Sequence, residues 1–168
     1  MKKFMLLMIV AAILLSMAAC GQSEASSQGN ETVPATEPEV ISVDVSALYN
    51  EMAEVLPQMI ELDETMLMNF CGIDAADCAQ YAASICYDGL RTDEVWVIEA
   101  VSEEAMERIV AMADNRLIMK GEETVSYSPE QYKVVEKAKV IRNGLYFALI
   151  VSPDVDSLAD MVSEAFGL

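Results

Sequence analysis

Cys20 is the residue whose type and position carry the most definite chemistry. It follows Met1-Lys2-Lys3, an apolar run from Phe4 to Leu15, and Ser16-Met17-Ala18-Ala19. That order describes a bacterial export signal ending in a cysteine. A lipoprotein-type signal peptidase cuts before such a cysteine once its thiol carries a diacylglyceryl group. Residues 1–19 are therefore expected to be a removed signal peptide, and Cys20 the lipid-bearing N-terminus. The run holds 12 apolar residues, short of the roughly 20 that cross a bilayer as a helix, so a retained transmembrane helix is the weaker reading. Two acyl chains on one cysteine anchor stably, whereas one binds only marginally. The expected location is the extracytoplasmic face of the cell membrane, held through the N-terminal lipid.

Carboxylates supply the remaining candidates, in the pairs Asp93-Glu94, Glu103-Glu104, Glu122-Glu123 and Asp154 with Asp156. Paired carboxyls can serve as acid and base when their surroundings separate their pKa values. Sequence neighbours point to opposite faces of a strand, or about 100° apart on a helix, so these pairs are poorly placed to converge on one substrate. Attraction to the positive end of a helix already explains Glu103, Glu104 and Asp154. Asp93 and Glu94, at the start of a strand, remain candidates for lining a binding site. Tyr127 and Tyr132 could line a groove, while Trp96 is more simply explained by packing.

Other chemistries lack their parts. There is no histidine, which excludes Ser-His-Asp and Cys-His nucleophile arrangements, and neither G-x-S-x-G nor S-x-x-K occurs. Asp154-Val155-Asp156 is not followed by the further ligands of a calcium loop. Met52, Met59 and Met106 fall on apolar helical stripes and read as core filler rather than copper ligands. Cys71, Cys78 and Cys86 are seven and eight residues apart, which is no C-x-x-C metal spacing. An odd number of thiols cannot pair completely, so buried free thiols are expected; spacing does not decide whether Cys71 and Cys78 bridge. No catalytic residue, metal or cofactor is expected.

Charge narrows the partners. The formal net charge is −18, from 10 basic and 28 acidic residues, and loss of Lys2 and Lys3 with the signal takes it to −20. Such a field repels nucleic-acid phosphates and anionic lipid headgroups, so nucleic-acid binding is not expected. The acidity itself is mostly that of a solvated surface.

Three regions follow from composition. After the signal at 1–19, residues 20–43 hold the lipidated cysteine and a Ser-, Gln-, Glu-, Thr- and Pro-rich tether. As a flexible coil it would span roughly 25 Å. Residues 44–168 then read as a single domain. Asp44 caps a helix whose apolar stripe runs through Val45, Leu48, Tyr49, Met52, Val55, Leu56, Met59 and Ile60, with Pro57 ending it near Val55 or kinking it. Asp63 caps a second helix, Glu64 to Cys71, that stops at Gly72. Alternation places Tyr81, Ala83, Ile85 and Tyr87 on one strand face, and Trp96, Ile98 and Ala100 on the next, with Asp88-Gly89 between.

Ser102 caps a long helix buried through Met106, Ile109, Val110, Ala113 and Leu117. Ser128-Pro129-Glu130-Gln131 opens a short one, with Gln131 placed to cap back. Asn143-Gly144 joins two strands of a second hairpin. A helix after Pro153 closes the chain. The fold class is therefore α+β: two hairpins forming a four-stranded antiparallel sheet with helices packed on one face, in two strand–strand–helix units behind an N-terminal helix.

From Ala47 onward the chain resembles an uncharacterised bacterial lipoprotein family, domain of unknown function 4358. The resemblance rests on Thr92-Asp93-Glu94-Val95, on Tyr127-Ser128-Pro129-Glu130-Gln131-Tyr132, and on Ala138 to Tyr146 running into Leu149-Ile150-Val151-Ser152. It implies a secreted, lipid-anchored protein of Gram-positive bacteria and no particular activity. The function expected is that of a binding or accessory module for an envelope protein or a small ligand, without chemistry of its own. The rivals are a carboxylate-dependent hydrolase of envelope material and a subunit of a neighbouring transporter.

Overall fold

A computed structural model describes residues 42–168. Cys20, the signal peptide and the tether as far as residue 41 lie outside the described residues. Among the described residues, no helix is long and apolar enough to cross a membrane.

Helix α1, Val45–Ala53, starts where Asp44 accepts a hydrogen bond from the Ala47 amide at 3.0 Å. Pro57 prevents its continuation, as expected, but the next residues are not helical. Met59–Glu61 form strand β1, pairing antiparallel with Cys86, Ile85 and Ser84. The expected four strands are therefore five. Met59 and Ile60 continued the helical stripe by spacing alone, and three residues are too few for a strand period to show against it. Asp63 caps α2, Glu64–Met66, which runs on as a π-helical turn through Leu67–Cys71 and ends at Gly72 with φ of 73°. A side chain at Gly72 would also meet Met112 Sδ at 2.9 Å.

Strands β2, Cys78–Cys86, and β3, Glu94–Ala100, form the first hairpin. Helix α3, Glu103–Val125, and helix α4, Pro129–Glu136, follow, capped by Ser102 and Ser128. The second hairpin joins β4, Lys139–Asn143, to β5, Tyr146–Val151, through Gly144 and Leu145, and α5, Val155–Ala165, ends the chain. Gly144 takes the positive φ, 55°, that the two-residue turn requires. The sheet order is β1-β2-β3-β5-β4, antiparallel throughout.

Helices cover both faces of this sheet, not one. Trp96, Ile98, Phe147 and Leu149 pack beneath α3 and α4 with Met106, Ile109 and Val135. On the opposite face Val95, Val97, Ala148 and Ile150 pack against α1 and α5 with Leu48, Leu158, Val162 and Phe166. Central strands covered twice lose the apolar–polar alternation that a one-sided sheet would show. All six residues of β5 are buried accordingly. The α+β class stands, with the sheet at its centre.

Candidate functional site

The segment between β2 and β3 sets out the first half of the site. Asp88 folds the chain by accepting from the Leu90 amide at 3.0 Å, and Cys86 donates its amide to the Asp93 carbonyl at 2.9 Å. Arg91, Thr92 and Asp93 are thereby gathered at the start of β3. Arg91 grips Asp93 with two parallel bonds, Nε at 2.9 Å and Nη2 at 3.1 Å, and this raises the guanidinium's basicity. Ser152, at the end of β5, adds a longer contact to Asp93 at 3.4 Å. Thr92 gives its amide and its hydroxyl to Gln131 Oε1, each at 2.9 Å.

That pair of bonds revises the role of Gln131. The sequence places it to cap its own helix, whereas the side chain instead crosses to the β2–β3 segment. Ser128 still caps α4, accepting the Gln131 amide at 3.4 Å.

The C-terminal part of α3 and the residues just beyond it supply the second half. Arg116, Lys120, Glu123, Thr124 and Tyr127 recur at three- and four-residue steps, so they share one side. Glu94 is wholly buried beneath them. Its carboxylate accepts from Arg116 Nε at 3.0 and 3.1 Å, from Arg116 Nη2 at 2.8 Å, and from Trp96 Nε1 at 2.9 Å. Lys120 Nζ lies 2.9 Å from the same carboxylate. Burial opposes the Arg116 charge, but the bonds to Glu94 outweigh it and hold the guanidinium above its ordinary basicity. Burial, then the Glu94 charge, push the neighbouring Cys71 thiol up to about 12, so it is a neutral thiol at physiological pH.

Between the two halves lies a cleft of about 290 Å³. Arg91, Thr92 and Asp93 line one side, and Arg116, Lys120 and Tyr127 the other, with Phe70, Ile85 and Cys86 also contributing to the walls. Asp93 and Tyr127 are thus brought together in the lining. Glu94 is not in the lining: it holds the two cations that are. Tyr127 is largely exposed at the edge. The remaining acidic pairs do not join them, apart from Glu123. Glu103 pairs with Arg142 and Asp156 with Lys139, both at the surface.

Larger hollows exist: two of about 420 and 410 Å³ along α3, walled chiefly by apolar side chains such as Leu117, Ile118, Met112 and Met119, and one of about 420 Å³ beside α1, β1 and β2, where Glu61 is the one charged residue among walls that include Ser46, Asn50 and Tyr81. The smaller cleft is where charged groups converge, and that convergence is what orients a ligand. Sequence reasoning missed Arg91, Arg116, Lys120 and Gln131. The signal for the α3 residues was present in their helical spacing, in a chain with 10 basic residues.

Among the described residues the three cysteines are free, Cys71 and Cys86 buried and Cys78 half-buried, which resolves the open question of a Cys71–Cys78 bridge. Among the described residues, no group of three or more Cys, Asp or Glu is placed to hold a metal ion.

No curated protein and no solved structure matches the chain. The model of one family, described as a domain of unknown function (DUF4358), matches residues 52–152. That span is more than half of the sequence, takes in β1 to β5 and both halves of the cleft, and makes the protein a member of this family.

Proposed function

We propose that this protein is a lipid-anchored extracytoplasmic binding module, and that the cleft between the β2–β3 segment and the end of α3 is its ligand site. The observation that carries the reading is the cleft's construction. Three of the chain's few cations and the carboxylates of Asp93 and Glu94 come together from distant parts of the sequence and are fixed by partly buried hydrogen bonds, with the Tyr127 ring at the edge. Such an arrangement is weak support for a fold, because replacing buried ion pairs by apolar residues of similar volume is often neutral or stabilising. The anchoring half of the reading rests on residues 1–20.

Ligand binding without catalysis fits the surroundings of the carboxylates. A hydrolase of the two-carboxylate kind needs one carboxyl in an apolar setting to stay protonated as the acid. Glu94 instead faces Arg116 and Lys120, and Asp93 faces Arg91. The accessory-subunit reading draws on Met68, Phe70, Ile118 and Met119, apolar residues exposed beside one hollow.

Two measurements test the proposal. Mass spectrometry of the membrane-extracted protein is expected to find a diacylglyceryl group on Cys20, and an unmodified residue 20 would overturn the anchor. Thermal shift of the detergent-extracted protein against a small-molecule panel is expected to find ligands whose effect Tyr127→Ala and Arg91→Ala remove. Ligand effects untouched by both substitutions would overturn the cleft.

A further inference from the structure

We propose that the cleft recognises a small ligand through a single carboxylate group, seated on Lys120 and Arg116, with an apolar or aromatic body held by Phe70, Ile85 and Tyr127. This inference rests on reading the cleft as the binding site.

The first argument is a count of buried charge. Glu94 is one carboxylate serving two cations, Arg116 at 2.8 Å and Lys120 at 2.9 Å. The side chains of these cations are only 16% and 9% exposed. Among the described residues neither has another carboxylate within ion-pair distance. One positive charge is therefore left over in a poorly solvated place, an arrangement that is unfavourable unless something completes it. Arg91 and Asp93 cancel one another and leave the surplus unchanged. Glu123 also lines the cleft, but it is exposed and makes no ion pair. Through water it offsets the surplus weakly.

The second argument is a count of donors. The Thr92 amide and hydroxyl are both occupied by Gln131, and the Thr124 hydroxyl donates to the Lys120 carbonyl at 2.7 Å. Arg116 uses Nε and Nη2 on Glu94. Its Nη1 donors, and the ammonium hydrogens of Lys120 turned away from Glu94, remain unused. The Glu123 carboxylate is exposed and accepts only; apart from the Tyr127 hydroxyl at the edge, the side-chain groups still able to donate are the cations, which match a group that only accepts. A carboxylate is such a group, and it carries the single negative charge that the surplus calls for. A phosphate dianion would exceed it by one, in a chain of net charge −18 that repels further anions.

The third argument is size and lining. A space of about 290 Å³ admits a carboxylate on one ring or a short aliphatic body, and Phe70, Ile85 and Tyr127 give that body apolar contact.

The test uses the full-length protein in mild detergent and titration calorimetry with four probes: phenylacetate, phenylacetamide, phenyl phosphate and 2-phenylethylamine. Phenylacetate is expected to bind most tightly, the amide and the phosphate at least about tenfold more weakly, and the amine not at all. Lys120→Met removes the surplus charge but leaves the Arg116–Glu94 pair, and it is expected to abolish phenylacetate binding. Lys120→Arg is expected to retain it. Glu123→Gln is expected to tighten it, and Tyr127→Ala to weaken acid and amide alike. Near-UV circular dichroism of each variant identifies loss of fold.

Tighter binding of the amide, phosphate or amine, weakened by Tyr127→Ala, would overturn the carboxylate while leaving the cleft as the site. Phenylacetate binding that survives Lys120→Met in a folded protein would also overturn the carboxylate seat. Probe binding indifferent to Tyr127→Ala and Lys120→Met, or no binding by any probe, would overturn the ligand class and the cleft together.

Discussion

The two faces of the central sheet bury comparable apolar side chains and differ in what else they bury. Strand β3 passes through both environments, because its residues alternate between them. Val95 and Val97 lie against α1 and α5 among Leu158, Val162 and Phe166. Trp96 and Ile98 lie against α3, and Glu94 follows the same alternation towards Arg116 and Lys120. The first face keeps its charged groups at its margin, where Tyr146 donates to Glu99 at 3.3 Å and accepts from the Val43 amide, and buries the hydroxyl of Ser84 opposite Val95. The second takes three charges inside. Each Leu or Val buried on the first face stabilises the fold by about 1.5–3 kcal/mol with no requirement on geometry. The charges on the second face break even only if every partner stays in place. Two layers of helix thus suffice for folding, and the charged corner adds a demand that folding does not make.

The largest effects should come from breaking the two faces in the same way. Glu94→Ala leaves Arg116 and Lys120 buried without their shared acceptor, and it is expected to destabilise the protein by about 3–5 kcal/mol in urea unfolding. Leu158→Ala, a matched deletion on the other face, leaves a cavity and should lose about 2–5 kcal/mol. The faces part company on repair. Replacing Glu94, Arg116 and Lys120 together by Leu, Met and Met is expected to return stability to the wild-type value or above it, while carboxylate binding is lost. A triple variant that stays several kcal/mol below wild type would show the charges to be part of the fold's support, and the contrast between the faces would fail.

The same contrast governs what the sequence allowed to be read. Caps depend on residues three apart, and they were legible: Asp44, Asp63, Ser102 and Ser128 each accept the expected amide, at 3.0, 2.8, 3.2 and 3.4 Å. The Asn143-Gly144 hairpin is local in the same way. Coverage of both sheet faces was signalled by the unbroken apolar run Tyr146–Val151, although a single covered face with a few exposed apolar residues gives a similar run. The charged corner joins Glu94 to Arg116 across 22 positions and Thr92 to Gln131 across 39. No local period encodes such a pairing. Asp93, Glu94 and Tyr127 were reachable because strand starts and aromatics attract attention by type, but nothing in their own neighbourhood says which cations meet them.

A smaller effect separates positioning from support within the charged corner. Gln131 accepts both the amide and the hydroxyl of Thr92, and so fixes the β2–β3 segment against α4. Gln131→Ala strands both donors in a half-buried place and should lose about 1–3 kcal/mol. Because Thr92 and Asp93 form one side of the cleft, the loss should also raise the dissociation constant for any cleft ligand. Gln131→Glu, which keeps an acceptor, should restore most of it.

The smallest effect sets the buried cluster against an ion pair of ordinary surface type. Arg108 binds Asp77 by Nε at 2.9 Å and Nη2 at 2.5 Å, but its side chain is 58% exposed. These bonds hold the Asp77 carboxyl below its usual range. A carboxyl with a depressed folded-state pKa contributes stability that is present above its unfolded value, near 3.8, and is lost as pH falls through the folded value. The difference in stability between wild type and Asp77→Asn should therefore be small at neutral pH, be lost as the pH falls through the depressed folded value, and shrink when salt is raised towards 1 M. The Glu94 cluster, shielded from solvent, should keep its effect at that salt concentration, because buried pairs are screened much less. Equal salt sensitivity of Asp77→Asn and Glu94→Ala would mean that water reaches both, and the surplus charge at the cleft floor would then need no ligand to complete it.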